Sequence, residues 1–252
     1  MAGDFLELRG LSKSFGKTAA VRGISLGVAR GEIVGLLGPN GAGKSTTIAM
    51  LTGLLAPSAG DILWEGRSIF GRMGEWRRAI GVVLEDLSLF AHLSVREHLD
   101  FVGRLSGLSP AETGRRADEL VEFFQMGDFA GTTAAEASQG TRKKLALALG
   151  LVHSPRLLLL DEALNGIDAV TVGDIKALMK KLAGRGASVI LSSHVLDAAE
   201  TVIDRCVIID RGRIVLDSPL PALRESGRSL EDVYIATVCG PGRAAPGLSW
   251  VS

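Results

Sequence analysis

The chain lacks an excess of either charge: 28 Lys and Arg stand against 28 Asp and Glu, for a formal net charge of zero. A protein that neutralises a nucleic-acid backbone or an anionic lipid surface needs a basic footprint, so neither partner is expected. Cysteine is nearly missing. Only Cys206 and Cys239 occur, far apart and without metal-ligand spacing. That argues against a disulfide framework and predicts a reducing compartment. No basic-then-apolar leader is visible, which predicts the absence of a secretion signal. Long apolar runs are missing too. Although 46% of the residues are hydrophobic, the longest unbroken stretch, Leu145 to Val152, falls far short of the roughly 20 residues that span a bilayer. No heptad run, internal repeat or low-complexity segment appears. The expectation is a cytoplasmic chain that does not itself cross a membrane, with 252 residues to bury one domain or one and a half.

What is present is a loop. Gly38-Pro39-Asn40-Gly41-Ala42-Gly43-Lys44-Ser45-Thr46 fits the phosphate-cradling pattern G-x-x-x-x-G-K-[ST], with Gly38, Gly43, Lys44 and Ser45 in the fixed places. Glycines let backbone N–H groups turn inward around a phosphate, and Lys44 adds a charge for the β and γ phosphates. The Ser45 hydroxyl can ligate Mg²⁺, and a following helix presents its positive end. The context is strand, loop, helix: Ile33 to Leu37 reads as a buried strand, and Ile48, Leu51 and Leu55 recur at helical spacing before Pro57. The stretch predicts a nucleoside triphosphate site.

In chain order, Leu6-Glu7-Leu8 and Ile24 to Val28 read as strands of a small antiparallel sheet. Phe15, among polar neighbours, is either a platform for a base or a half-buried turn aromatic. Strand character returns over residues 60–70 and at Ile80 to Leu84, which runs into Glu85-Asp86. From Leu87 to Ala148 the period is helical. Ser94 to Glu97 and Ser109 to Glu112 read as capping boxes, and Ser138 can cap a third helix. Roughly sixty helical residues between parallel strands exceed an ordinary crossover and predict an inserted subdomain.

Leu157 to Leu160 suits a parallel strand buried on both faces, and it ends in Asp161-Glu162. Asp161 can hold Mg²⁺ and Glu162 can take a proton from an attacking water; the alternative is a solvated pair opening a loop. Val172 to Leu182 forms a helical stripe. Val189 to Leu191 is another strand, followed by Ser192-Ser193-His194, where His194 is either structural or catalytic at the same sheet edge. Cys206 to Ile209 and Arg213 to Leu216 predict a hairpin across Arg211-Gly212. A short helix is expected over Leu230 to Val238, and Cys239 to Ser252 reads as a tail.

Over about residues 5–236 this order of motifs resembles the nucleotide-binding subunits of ABC transporters. The resemblance implies an α/β fold: a P-loop, RecA-like, mostly parallel sheet with an antiparallel β subdomain and an inserted α-helical subdomain at about 87–156. It implies one nucleotide-binding domain over 1–236 and a loose tail over 237–252. It places Phe15 as the adenine-stacking aromatic, Asp161 and Glu162 as magnesium ligand and base, and His194 as the γ-phosphate switch. Asn165-Gly166-Ile167-Asp168 resembles the segment linking two active sites. Glu85 stands where the family has a lid glutamine, a contact to Mg²⁺ and water. Ala137-Ser138-Gln139-Gly140-Thr141 stands for the signature loop, keeping the phosphate-facing Ser138 and Gly140, and Ala163-Leu164 replaces the usual Pro-Thr or Pro-Ser.

ATP and Mg²⁺ are the implied cofactors, and ATP hydrolysis the implied reaction. A helix opened by Ser138 is a second anion site. It makes sense if it closes over nucleotide held by another copy, so a head-to-tail homodimer is expected. The resemblance further implies a separate membrane-spanning permease, a peripheral place on the cytoplasmic face of the cell membrane, and the exporter branch. The rival class is a soluble ABC-type ATPase acting on ribosomes or DNA. A small-molecule kinase or GTPase would lack the signature-like loop, and no Asn-Lys-x-Asp element is present.

Overall fold

The computed structural model describes residues 5–86, 89–193, 196–225 and 227–239. Two sheets divide the strands. In the first, β1 (Leu6–Phe15) and β2 (Thr18–Val28) form an antiparallel hairpin. Following β3 (Ile33–Leu37) and the helix α1 (Lys44–Leu51), the strand β4 (Ala59–Trp64) returns beside β1, with the short β5 (Arg67–Ser68) beyond it. The helix α2 (Met73–Ala79) leads into β6 (Ile80–Val83), the edge of the second sheet. Three helices follow, α3 (Val95–Leu105), α4 (Pro110–Phe123) and α5 (Gln139–Leu151), before β7 (Leu157–Asp161). The chain closes through α6 (Ala169–Gly184), β8 (Ser188–Ser193), α7 (Leu196–Glu200), β9 (Arg205–Asp210), β10 (Arg213–Pro219), α8 (Leu220–Glu225) and α9 (Leu230–Cys239).

The second sheet has the order β10-β9-β3-β8-β7-β6. Its pairings are parallel except for β10, which turns back on β9 across Arg211-Gly212. Both turn residues have positive φ, 46° and 77°, the geometry that matches strand twist in a two-residue hairpin. The α/β class and the antiparallel subdomain expected from sequence are observed, and the helices α3 to α5 stand between the parallel neighbours β6 and β7.

The run of leucines in β7 has a physical reason. Leu157 and Leu159 face one core with β1, β2, α1, Trp64 and Trp76. Leu158 and Leu160 face a second core with α3, α5 and α6. A strand covered on both faces buries every side chain, at about 1.5–3 kcal/mol each. Alternating residues of β3 and β8 divide the same way, so the sheet is a septum between two apolar layers.

Several expectations change. The helix after the loop ends at Leu51 rather than Leu55, closed by a bond from the Leu55 N–H to the Ala49 carbonyl. The Ser94 capping box forms in both directions. At Ser109 only half does: its hydroxyl accepts from the Glu112 N–H, while the Glu112 carboxylate pairs with Arg116. Cys239 ends α9 rather than opening a tail, and residues 240–252 lie outside the described residues. Among the described residues no helix is long and apolar enough to cross a membrane.

Trp76 of α2 locks the antiparallel layer to the loop helix. It is fully buried, its ring is tilted against Trp64 at 5.5 Å, and its Nε1 donates to the Leu51 carbonyl at 2.6 Å. Trp76→Ala is expected to lower unfolding free energy by about 3–5 kcal/mol in urea titration. A loss below about 1 kcal/mol would contradict this packing.

Candidate active site

All five residues of β3 are buried, so the chain leaves the sheet interior at Gly38 and must turn in little space. A Cβ at Gly38 would collide with the Ile209 carbonyl oxygen, and one at Gly43 would lie 2.7 Å from the carbonyl of Ala20. Gly43 also has φ of 111°. Only glycine meets both demands, which is why the loop can press against β9 and β2. Gly43 caps α1 without a side-chain hydrogen bond, and the first turn carries no acidic residue. The first amides of this helix are thus disposed for an anion rather than for a neighbouring side chain. Around them opens a cavity of about 310 Å³, lined by Ala20, Asn40, Gly41, Gly43, Lys44, Ser45, Thr46, Glu85 and Glu162. Pro39 and Ala42 belong to the wall rather than the lining. Ala42 is buried, and the Pro39 carbonyl faces the lysine.

Lys44 is buried, and a buried ammonium needs compensation. Its Nζ donates to the Gly38 carbonyl at 2.8 Å and lies 3.8 Å from Glu162 Oε1. Glu162 is buried as well and sits just past β7 with φ of 51°. That left-handed conformation is strained for a residue with a side chain, and such strain concentrates at functional positions. It is held from β8. The Ser192 hydroxyl donates to Asp161 Oδ1 at 2.5 Å and accepts from the Glu162 N–H at 3.1 Å. Asn165 closes the turn, its Nδ2 donating to Glu162 Oε2 at 3.0 Å. The Ala163-Leu164 turn is therefore fastened by Asn165.

Ser45 lines the cavity and Asp161 ends the neighbouring strand. A hydroxyl and a carboxylate are the donor set by which Mg²⁺ joins a phosphate-bound site, the rest of its shell being phosphate and water. No group of three or more His, Cys, Asp or Glu side chains that could hold a metal ion by itself occurs among the described residues. Glu85 is exposed at the cavity rim.

Other predicted site residues lie apart. Phe15 is 52% exposed, with Lys13 Nζ 5.5 Å from its ring centroid, and it does not line the cavity. Ser138 caps α5 by accepting from the Thr141 N–H at 3.1 Å, and Gly140 follows in the first turn. Neither lines the cavity. Asp168 caps α6, accepting from the Thr171 N–H at 2.9 Å and lying 3.3 Å from Lys144 Nζ. His194 lies outside the described residues. Sequence reasoning missed Ala20 and the bridging hydroxyl of Ser192, whose place at a strand tip beside Asp161 was the available signal.

Residues 21–165 match a family model described as ABC transporter. The linearmycin resistance ATP-binding protein LnrL of Bacillus subtilis is 36% identical over 210 residues, covering 83% of this chain and 68% of that protein. The methionine import ATP-binding protein MetN of Rhizobium johnstonii is 37% identical over 217 residues, covering 84% and 60% respectively. A solved ATP-binding subunit of an ABC transporter superposes with a TM-score of 0.87 at 31% identity, covering 92% of this chain and 99% of that one. The chain belongs to the ABC transporter family. It is an ATP-binding, ATP-hydrolysing subunit that works with ATP and Mg²⁺.

The Thr171 amide, then the Thr171 hydroxyl and Lys144, hold the Asp168 carboxyl down to about 2 from an ordinary 3.8. A depressed carboxylate contributes stability that is full above its unfolded pKa and is lost as pH falls through the folded one. Asp168 therefore weakens the α6 anchor between about pH 4 and pH 2, modestly because it is exposed. Thermal melts of Asp168→Asn should lack this component. Parallel curves for variant and wild type below pH 4 would refute it.

Proposed function

We propose that this chain is the ATPase motor of a transporter, with Lys44 as the cation for the β and γ phosphates and Glu162 as the general base. The observation that carries this reading is the buried approach of Lys44 Nζ to Glu162 Oε1, 3.8 Å, at the mouth of a glycine loop. A triphosphate seated on the α1 amides brings its terminal phosphate to this point. There Glu162 takes a proton from the water that attacks phosphorus while ADP leaves. Ser45 and Asp161, with Glu85 nearby, would hold Mg²⁺, which would supply positive charge to neutralise the phosphates. Phe15 stacks on the base, Asp168 and His194 complete the site, and Ser138 and Gly140 offer their helix tip to nucleotide held by a second copy.

That last role favours a head-to-tail homodimer with two nucleotides between the copies. The tip of α5 is exposed and does not line its own cavity, and a Cβ at Gly140 would meet only Ser138 Oγ, 3.8 Å away. A closely approaching phosphate would have room. A separate permease is favoured by an apolar surface on the helical insert. Phe90 is 56% exposed, Phe101 45% and Leu105 71%, and Phe90 packs edge-on against Phe101. Contiguous exposed apolar side chains mark an interaction surface. Such a partner would hold the subunit at the cytoplasmic face of the membrane. Export is the direction favoured by Glu85 and the altered signature loop. Overall identity does not separate the directions, since a resistance protein and an import protein match almost equally.

Lys44→Ala should abolish ATP binding in equilibrium titration. Glu162→Gln should bind ATP, hydrolyse it at least about 100-fold more slowly, and run as a dimer in size exclusion with saturating ATP and Mg²⁺. A Glu162→Gln chain that stays monomeric would overturn the sandwich. Phe101→Asp with Leu105→Asp should leave ATP binding intact while abolishing co-purification of a polytopic membrane chain; retention of that chain would overturn the docking surface.

A further inference from the structure

The base is fastened to the signature helix by a short chain of bonds. Asn165 folds back on Glu162 twice, through its N–H to the Glu162 carbonyl at 3.3 Å and through Nδ2 to Oε2 at 3.0 Å. The Asn165 carbonyl accepts in turn from Lys143 Nζ, which reaches across from α5. The same ammonium lies 3.4 Å from where a Cβ would stand on Gly166. The neighbouring Lys144 grips Asp168 at 3.3 Å. Two consecutive lysines of α5 thus clamp both ends of the 165–168 segment.

Lys143 also faces the reaction site. With Glu85, Glu162, Val83, Leu84 and Ala163 it lines a cavity of about 10 Å³, close to the volume that admits one water. Glu85 and Glu162 both line this space, and like charges brought to one small cavity repel. Lys143 brings the opposite charge to the same wall.

We infer that Lys143 is a positioning residue for the base: it pins the Asn165–Gly166 turn so that Asn165 keeps the Glu162 carboxylate aimed, and it offsets Glu85 beside it. This rests on the assignment of Glu162 as the base. It adds a route by which the partner copy is sensed. Ser138 and Lys143 belong to one helix, so displacement of the α5 tip on nucleotide held by the other copy moves the residue that orients Glu162. Closure and base alignment are then one event.

The test measures steady-state ATP turnover, affinity for a fluorescent methylanthraniloyl-ATP, and melting temperature on the full chain. Lys143→Met should lower kcat about 10- to 100-fold, with affinity and melting temperature unchanged. Lys143→Arg, which keeps the cation, should stay within about threefold of wild type. Asn165→Ala should reproduce the loss, and joining it to Lys143→Met should cost nothing further, because serial links in one relay are not additive. Asn165→Ala reads the same link should Lys143→Met fail to fold. An unchanged kcat in Lys143→Met overturns the inference. So does a kcat loss matched by losses in affinity and melting temperature, or a double variant whose losses multiply. If instead Glu162→Gln hydrolyses ATP as fast as wild type, the base assignment is what has failed.

Discussion

A buried lysine beside a buried glutamate is the interaction on which this molecule turns. Neither charge tolerates an apolar surrounding alone, and their mutual attraction offsets desolvation only when further polar partners are fixed in place. Lys44 has the Gly38 carbonyl, and Glu162 has Asn165 and the backbone bond to Ser192. Those partners come from separate elements, so the pair exists only if the parallel strands keep register. Asp161 stands opposite Ser192 and Leu37 opposite Ser193, which brings the ends of β7, β8 and β3 to one edge. The apolar septum of the sheet thereby positions the polar chemistry at its carboxyl end, where ligands of open α/β sheets collect.

The same constraint explains why the site is assembled from short, rigid approaches. Glycine at 38 and 43 lets the loop touch β9 and β2 directly. The strained Glu162 backbone aims a side chain that a relaxed strand continuation would direct elsewhere. The helical insert is tied to this edge through Lys143 and Lys144. A perturbation of the insert by a membrane partner or by a second copy can reach the base without passing through the sheet.

Much of this was legible because it is local. The loop, the leucine strand, the Ser94 and Ser138 caps and the Arg211-Gly212 hairpin each carry their signal within a few residues. The α2, α7 and α8 helices were not legible. They span five to seven residues, too few to display a period. Long-range convergence escaped as well. Ser192 meets Asp161 across 31 positions and Lys143 meets Asn165 across 22, and nothing in either neighbourhood names the other. Glu85 read from sequence as the residue standing where the family has a lid glutamine. Lys143, lining the same small cavity, supplies a cation that composition could not locate.

The most direct measurement is a structure of the full chain with Mg²⁺ and a non-cleavable ATP mimic. The expected result is a terminal phosphate in ionic contact with Lys44, beside Glu162, and capped by Ser138 from a second copy. A terminal phosphate remote from the Lys44–Glu162 pair would contradict the central claim, whatever the stoichiometry of the complex.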